Sequence, residues 1–128
     1  MKNRLWNCKN PNQGKDLKVL TLCSAGLLRS PTLAWILSNE PFNFNTRAAG
    51  VSKSFALIPV DEVLLEWADV VVCVHMDVFQ ELQDQFELDE TKTFVCLDTP
   101  DEFEFKHPKL VEILKEQVTQ RLKALEII

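Results

Sequence analysis

The sequence predicts an α/β sandwich, and three observations carry that reading. Short apolar runs alternate along the chain with segments whose apolar residues recur at helical spacing. The run from Asp69 to Val74 is continuously apolar after its first residue, as a parallel strand covered on both faces must be. A strand, a loop of small residues and a helix follow one another near residue 20, and the same unit recurs downstream.

Taken in order, residues 1–16 are polar, carry Asn-Pro and Gln-Gly breakers and lack periodicity, so they read as an N-terminal arm with Trp6 as its docking residue. Residues 17–128 read as one α/β domain without internal repeats or linkers. Leu17 to Leu22 is a branched apolar run suited to a buried strand, ended by the small residues Cys23-Ser24-Ala25-Gly26. Ser30-Pro31 supplies a capping hydroxyl and a first-turn proline for a helix carrying Leu33, Ala34, Ile36 and Leu37. Phe44 to Ala49 reads as a second strand. Pro59 opens a helix with Val60, Val63, Leu64 and Trp67 on one stripe. After the third strand, Asp77 caps a helix bearing Phe79, Leu82 and Phe86. Thr93 to Leu97 is a fourth strand, Asp98 to Lys106 an acidic loop, and Pro108 to about Glu126 a long helix with Leu110, Leu114, Val118, Leu122 and Leu125 along one side.

The chain has 128 residues, of which 46% are hydrophobic and 26% charged, the composition of a globular domain long enough to bury a core. Its net charge of −5 argues against a nucleic-acid or anionic-membrane partner. The charge is uneven. Residues 1–18 hold five basic groups against Asp16, whereas residues 77–104 hold ten carboxylates against Lys92. Cys8, Cys23, Cys73 and Cys96 show no zinc-type spacing and no need to act as staples, so all four read as reduced thiols. With no secretory signal or membrane-length apolar run, the expected compartment is the cytoplasm.

The loop Cys23-Ser24-Ala25-Gly26-Leu27-Leu28-Arg29-Ser30-Pro31 carries the chemistry. It lies between a predicted strand and a predicted helix, where free backbone N–H groups and the positive end of the helix dipole converge beyond the strand's carboxyl end. Such a loop cradles a phosphate. Cys23 at its floor would be held as a thiolate by those amides and the nearby guanidinium, and the thiolate is the nucleophilic form. Arg29 would grip two phosphate oxygens with its planar fork, and Gly26 permits a left-handed turn.

These residues resemble the low-molecular-weight protein tyrosine phosphatases, particularly their short bacterial and phage branch. The Cys-x5-Arg-Ser-Pro loop is the most specific element, supported in the family's order by Arg47-Ala-Ala-Gly50, Glu66 to Val72, His75-Met-Asp77 and Leu97 to Phe103. The resemblance implies a three-layer sandwich with a four-stranded parallel sheet flanked by helices, a phosphocysteine intermediate, and no metal or cofactor. It implies that Cys23 is the nucleophile, Arg29 the phosphate clamp, and Ser30 the hydroxyl that eases departure of the thiolate. Asp101 is the implied general acid, with Asp98 the competing choice. Ser24, Ala25, Gly26, Leu27 and Leu28 would line the phosphate, and Phe103 would flank a substrate ring. Three departures stand out: Gly26 replaces an Asn that braces the loop, Leu28 replaces a second loop cysteine, and Glu104 puts a charge where an aromatic usually stands.

The expected substrate is therefore phosphotyrosine in a protein, or a small aryl phosphate, with inorganic phosphate as product. Three other functions compete. A phosphocarrier domain of a sugar phosphotransferase system can share Cys-Ser-Ala-Gly but needs neither Arg29 nor Asp101. A phosphate-binding module would hold the anion without turnover. A thiol-dependent arsenate reductase would need Cys96 and a further cysteine just beyond it, where Phe103 stands instead. The plainer readings are a buried strand-end thiol for Cys23, a solvated run for Asp98 to Glu104, core positions for Cys73 and Cys96, a structural hydrogen bond for His75 and a boundary role for His107.

Overall fold

The structure is a computed structural model, and it describes residues 17–23, 29–39, 42, 44–52, 59–88, 91–99 and 108–125. Strands and helices alternate through them: β1 (Lys18–Cys23), α1 (Arg29–Ser38), β2 (Asn45–Gly50), α2 (Glu62–Trp67), β3 (Val70–Cys73), α3 (Met76–Gln85), β4 (Thr93–Cys96) and α4 (Pro108–Ala124). The four strands pair in parallel in the order β2-β1-β3-β4. The α/β alternation and the parallel sheet expected from the sequence are both present.

The register assigns the helices to faces. Thr46 on β2 donates its hydroxyl to Ala34 O of α1 at 2.8 Å, while the Arg47 guanidinium lies over the Trp67 ring of α2, 4.3 Å from its centroid. Successive strand residues point to opposite faces, so α1 and α2 cover opposite sides. Arg47 shares its register row with Leu20, Val71 and Phe94, and Phe94 meets Phe79 of α3, ring centroids 5.7 Å apart. Helix α3 therefore lies on the α2 face. Helix α4 packs beside α1. The result is three layers.

Coverage follows position in the sheet: β1 and β3, inside it, are buried almost throughout, whereas β4 is mostly half-buried. Val70 to Cys73 is buried throughout and occupies the sheet interior between β1 and β4. Leu110, Leu114, Val118 and Leu122 form the buried stripe of α4, and each such leucine contributes roughly 1.5–3 kcal/mol relative to exposure. Among the described residues, Leu20, Leu22, Leu33, Leu37, Leu64 and Leu82 are the other fully buried leucines of the core.

Several boundaries differ from the sequence reading, each for a local reason. Ser30 lies inside α1 and turns its hydroxyl toward the sheet, so it is not the helix cap. Pro59 does not open a helix: it bridges to Gly50, Val60 N donates to Gly50 O at 2.9 Å, and α2 starts three residues after Pro59, at Glu62, with Asp61 as its cap. The helix is consequently rotated, leaving Val63 73% exposed while Val60 and Leu64 are buried. The cap of α3 is His75, whose Nδ1 accepts from Asp77 N at 3.2 Å, and Asp77 falls in the first turn. Leu125 lies beyond the end of α4 and is 49% exposed. The arm, Trp6 and Cys8 lie outside the described residues.

Candidate active site

Strand order locates the site. From β1 the chain passes through α1 to β2 on one side, then through α2 to β3 on the other. The order reverses between β1 and β3, and crevices at the carboxyl ends of strands at such a point are where open α/β sheets bind ligands. Cys23 is the last residue of β1 and stands at this point. Its carbonyl accepts from Val51 N at 2.9 Å, and its side chain is buried.

The Cys23 Sγ lies 3.1 Å from the Ser30 Oγ, within hydrogen-bonding distance. Ser30 also donates to Ala49 O at 3.2 Å. A hydroxyl has one proton, so the two contacts define two states. With a neutral thiol, Cys23 donates to Ser30 and Ser30 donates to Ala49 O. With a thiolate, the Ser30 proton turns to the sulfur. The hydroxyl is thus placed to follow the charge on Cys23.

Thr21 fixes this geometry from within the sheet. Its buried hydroxyl is 2.7 Å from Ser30 O and 3.3 Å from Arg47 O, so one donor joins the first turn of α1 to β2. Arg29 is the first residue of α1, directly before Ser30. Ser24, Ala25, Gly26, Leu27 and Leu28 lie outside the described residues, as do Asp101 and Phe103.

The carboxyl ends of β3 and β4 bring a second group together. His75 Nδ1 accepts from Asp77 N, which leaves the proton of the neutral ring on Nε2, and Nε2 lies 3.3 Å from Asp98 Oδ1. The Asp77 carboxylate stands 3.5 Å from Nδ1, so a protonated ring would face a carboxylate at each nitrogen. Asp98 is itself held from α4: Gln117 Nε2 donates to Asp98 O at 2.9 Å, and Gln117 Oε1 accepts from Asp98 N at 2.9 Å and from the Thr99 hydroxyl at 3.3 Å. Thr99 N donates to Val74 O at 2.9 Å. The segment leading into the acidic loop is therefore anchored on both β3 and α4. A cavity of about 370 Å³ opens there among Asp98, Gln117, Gln120, Arg121 and Ala124.

Gln117 and Thr21 were not singled out from the sequence. Gln117 had a signal, because it stands three residues after Leu114 and next to Val118 on the buried side of α4, where a polar side chain needs partners. Thr21 had none beyond being a polar residue inside an apolar strand. His75 does make the structural hydrogen bond expected of it, and faces Asp98 as well.

This architecture is the low-molecular-weight protein tyrosine phosphatase fold. Among solved structures the chain is similar to the low-molecular-weight protein tyrosine phosphatase from T. tengcongensis, with 15% identity and a TM-score of 0.65 over 88% of this chain and 99% of that one. It is similar to the YwlE arginine phosphatase from Geobacillus stearothermophilus, with 19% identity and a TM-score of 0.63 over 87% and 94%. The thioredoxin-dependent arsenate reductase Cg_ArsC1' from Corynebacterium glutamicum matches at 14% identity and a TM-score of 0.60, over 90% of this chain and 65% of that one. No protein-family model matches the sequence, and no curated protein matches it significantly. What these structures share with the chain is the fold.

Proposed function

We propose that the protein is a cysteine-dependent phosphatase that hydrolyses aryl phosphomonoesters, with phosphotyrosine in proteins as its substrate class and inorganic phosphate as product. The observation that carries this reading is the Cys23–Ser30 contact at the point where strand order reverses. The Cys23 thiolate attacks phosphorus; the S–P bond forms, the P–O bond to the aryl group breaks, and Asp101 protonates the departing phenolate. Water then attacks the phosphocysteine, Asp101 takes its proton, and Ser30 turns its hydroxyl to the departing thiolate. Arg29 and the amides of residues 24–28 hold the phosphoryl oxygens through both steps. The scheme calls for no metal or cofactor, and its place is the cytoplasm, where a nucleophilic thiol stays reduced. Among the described residues no helix is long and apolar enough to cross a membrane.

A second phosphatase reading has support in the rim. Asp77 and Asp98 are exposed at the strand ends, and an acidic rim suits a cationic side chain better than an acidic phosphopeptide. One similar structure is named an arginine phosphatase, so phosphoarginine is the competing substrate. The arsenate reductase reading fits less well: Cys23 meets Ser30 on the α1 face, whereas Cys96 shares the face of Phe94 and α3, so the sheet stands between their side chains.

The deciding measurement is phosphate release from aryl phosphates of graded leaving-group basicity, a phosphotyrosine peptide and a phosphoarginine peptide. Wild type is compared with Cys23→Ser, Asp101→Asn and Asp98→Asn. The proposal expects Cys23→Ser to lose at least about 10³-fold in turnover, and Asp101→Asn to harm poor leaving groups more than activated ones. Turnover of the phosphoarginine peptide but not of aryl phosphates overturns the aryl assignment. If Asp98→Asn shows the leaving-group dependence and Asp101→Asn does not, the acid is Asp98. Binding of phosphate or vanadate without turnover, or a stable phosphocysteine, favours a binding module or a phosphocarrier.

A further inference from the structure

Two cysteines have no part in that scheme. Cys73 ends β3, Cys96 ends β4, and the two are register partners in the parallel ladder. Neighbouring strands run about 4.8 Å apart, inside the Cα separation of about 4.4–6.8 Å that a disulfide spans. Register partners project to the same face. Cys96 is two residues on from Phe94, so that face is the one covered by α3, opposite to Cys23 and Ser30.

The environments of the pair differ in a useful way. Cys73 is fully buried and Cys96 half-buried. The Cys73 thiol hydrogen-bonds the Cys96 sulfur and pulls it down to about 7; burial opposes this and the Arg121 guanidinium assists it. The same hydrogen bond, burial and the charge on Cys96 push Cys73 far above the ordinary thiol range. Cys96 is thus the more exposed and the more readily ionised of the two, and once it ionises above about pH 7 the remaining proton stays on Cys73. Among the described residues, strand β4 is four residues long and pairs with one neighbour, β3, so a Cys73–Cys96 bond would link two strands that are already adjacent.

We propose that Cys73 and Cys96 form an oxidisable dithiol, a modification site at which a peroxide closes a disulfide between β3 and β4. The Cys96 thiolate attacks one oxygen of hydrogen peroxide; the S–O bond forms, the O–O bond breaks, and Cys96 becomes a sulfenic acid with loss of hydroxide. The Cys73 sulfur then attacks the Cys96 sulfur, the S–S bond forms, the S–O bond breaks, and the Cys73 proton leaves with the departing oxygen. Two electrons pass from the sulfurs to the peroxide, and the oxygens leave as one water and one hydroxide, the hydroxide taking a proton from solvent. The disulfide lies two residues before His75 and two before Asp98, so it ties together the strands that present that pair.

The test uses the full chain as wild type, Cys23→Ser and Cys23→Ser/Cys73→Ser, treated with graded hydrogen peroxide under native conditions, alkylated and mapped by mass spectrometry. The expected result is loss of two hydrogens and a Cys73–Cys96 cross-linked peptide in wild type and in Cys23→Ser, reversed by dithiothreitol. In Cys23→Ser/Cys73→Ser, Cys96 should pass to sulfinic acid. The proposal is overturned if folded Cys23→Ser carries Cys96 to sulfinic acid while Cys73 stays alkylatable on unfolding, if the principal link joins Cys8 to Cys96, or if the Cys73–Cys96 link forms only in protein unfolded beforehand. Because the main readout is taken in Cys23→Ser, its failure is separate from any failure of the phosphatase reading.

Discussion

Gln117 of α4 grips Asp98 by both of its backbone polar groups, donating to the carbonyl and accepting from the amide, each at 2.9 Å. A side-chain amide reproduces here the pairing that another strand would give, just past the point where β4 ends. The chain thus leaves the sheet with its direction set at Asp98 and Thr99.

Gln117→Ala removes this grip together with the contact to the Thr99 hydroxyl. Asp98 is exposed and water can replace part of what is lost, so the expected destabilisation is about 1 kcal/mol. Turnover should fall further than stability suggests, because the loop carrying the proposed acid loses its base. Urea unfolding and steady-state kinetics on the same variant check both; unchanged kcat at reduced stability would make Gln117 purely structural.

Ser30→Ala removes the single proton shared between Cys23 and Ala49 O. A hydrogen bond to a charged group is worth about 1.5–3 kcal/mol, so turnover should fall by about 10-fold or more. The greater loss is expected in breakdown of the phosphocysteine, where sulfur regains its charge. Rapid-quench measurement of phosphoenzyme should show it accumulating in Ser30→Ala.

The Cys73–Cys96 pair predicts a pH profile. Below pH 7 Cys96 is protonated and slow to alkylate; above it the thiolate is populated, so the rate in the Cys23→Ser background should reach half its maximum near pH 7. Arg121 lowers this value, so Arg121→Ala should move the midpoint upward and slow alkylation at neutral pH. A midpoint unmoved from the ordinary value of 9.0 would contradict the hydrogen-bonded arrangement.

Two substitutions separate the buried side of the helices from the exposed side. Leu114 is fully buried on α4, and Leu114→Ala should cost about 2–5 kcal/mol through lost contacts and the cavity left behind. Val63, 73% exposed on α2, should change stability by no more than about 0.5 kcal/mol when replaced by Ala. Denaturant midpoints compare the two directly.

The helical stripes of α1 and α4 and the unbroken apolar run of β3 were legible in the sequence because burial on one or both faces leaves a periodic trace. The register that places Cys73 beside Cys96 was not, since pairing between strands distant in the chain leaves no local pattern. The turn before α2 misled for a related reason: Pro59 looks like a helix start, but its bridge to Gly50 is a tertiary contact, and the cap passes to Asp61. In the candidate site, Cys23 and Ser30 could be paired from the loop motif. Gln117 could not be joined to Asp98, because nothing local says which strand end a helix residue will meet. Asp101 and Phe103 lie outside the described residues.

Thr21 gives the site redundancy. One hydroxyl inside β1 joins the first turn of α1 to β2, so Ser30 is held from below by the strand that ends in Cys23. That tie is separate from the Cys23–Ser30 contact, so the spacing of the sulfur and the hydroxyl rests on two side chains of β1, not on one.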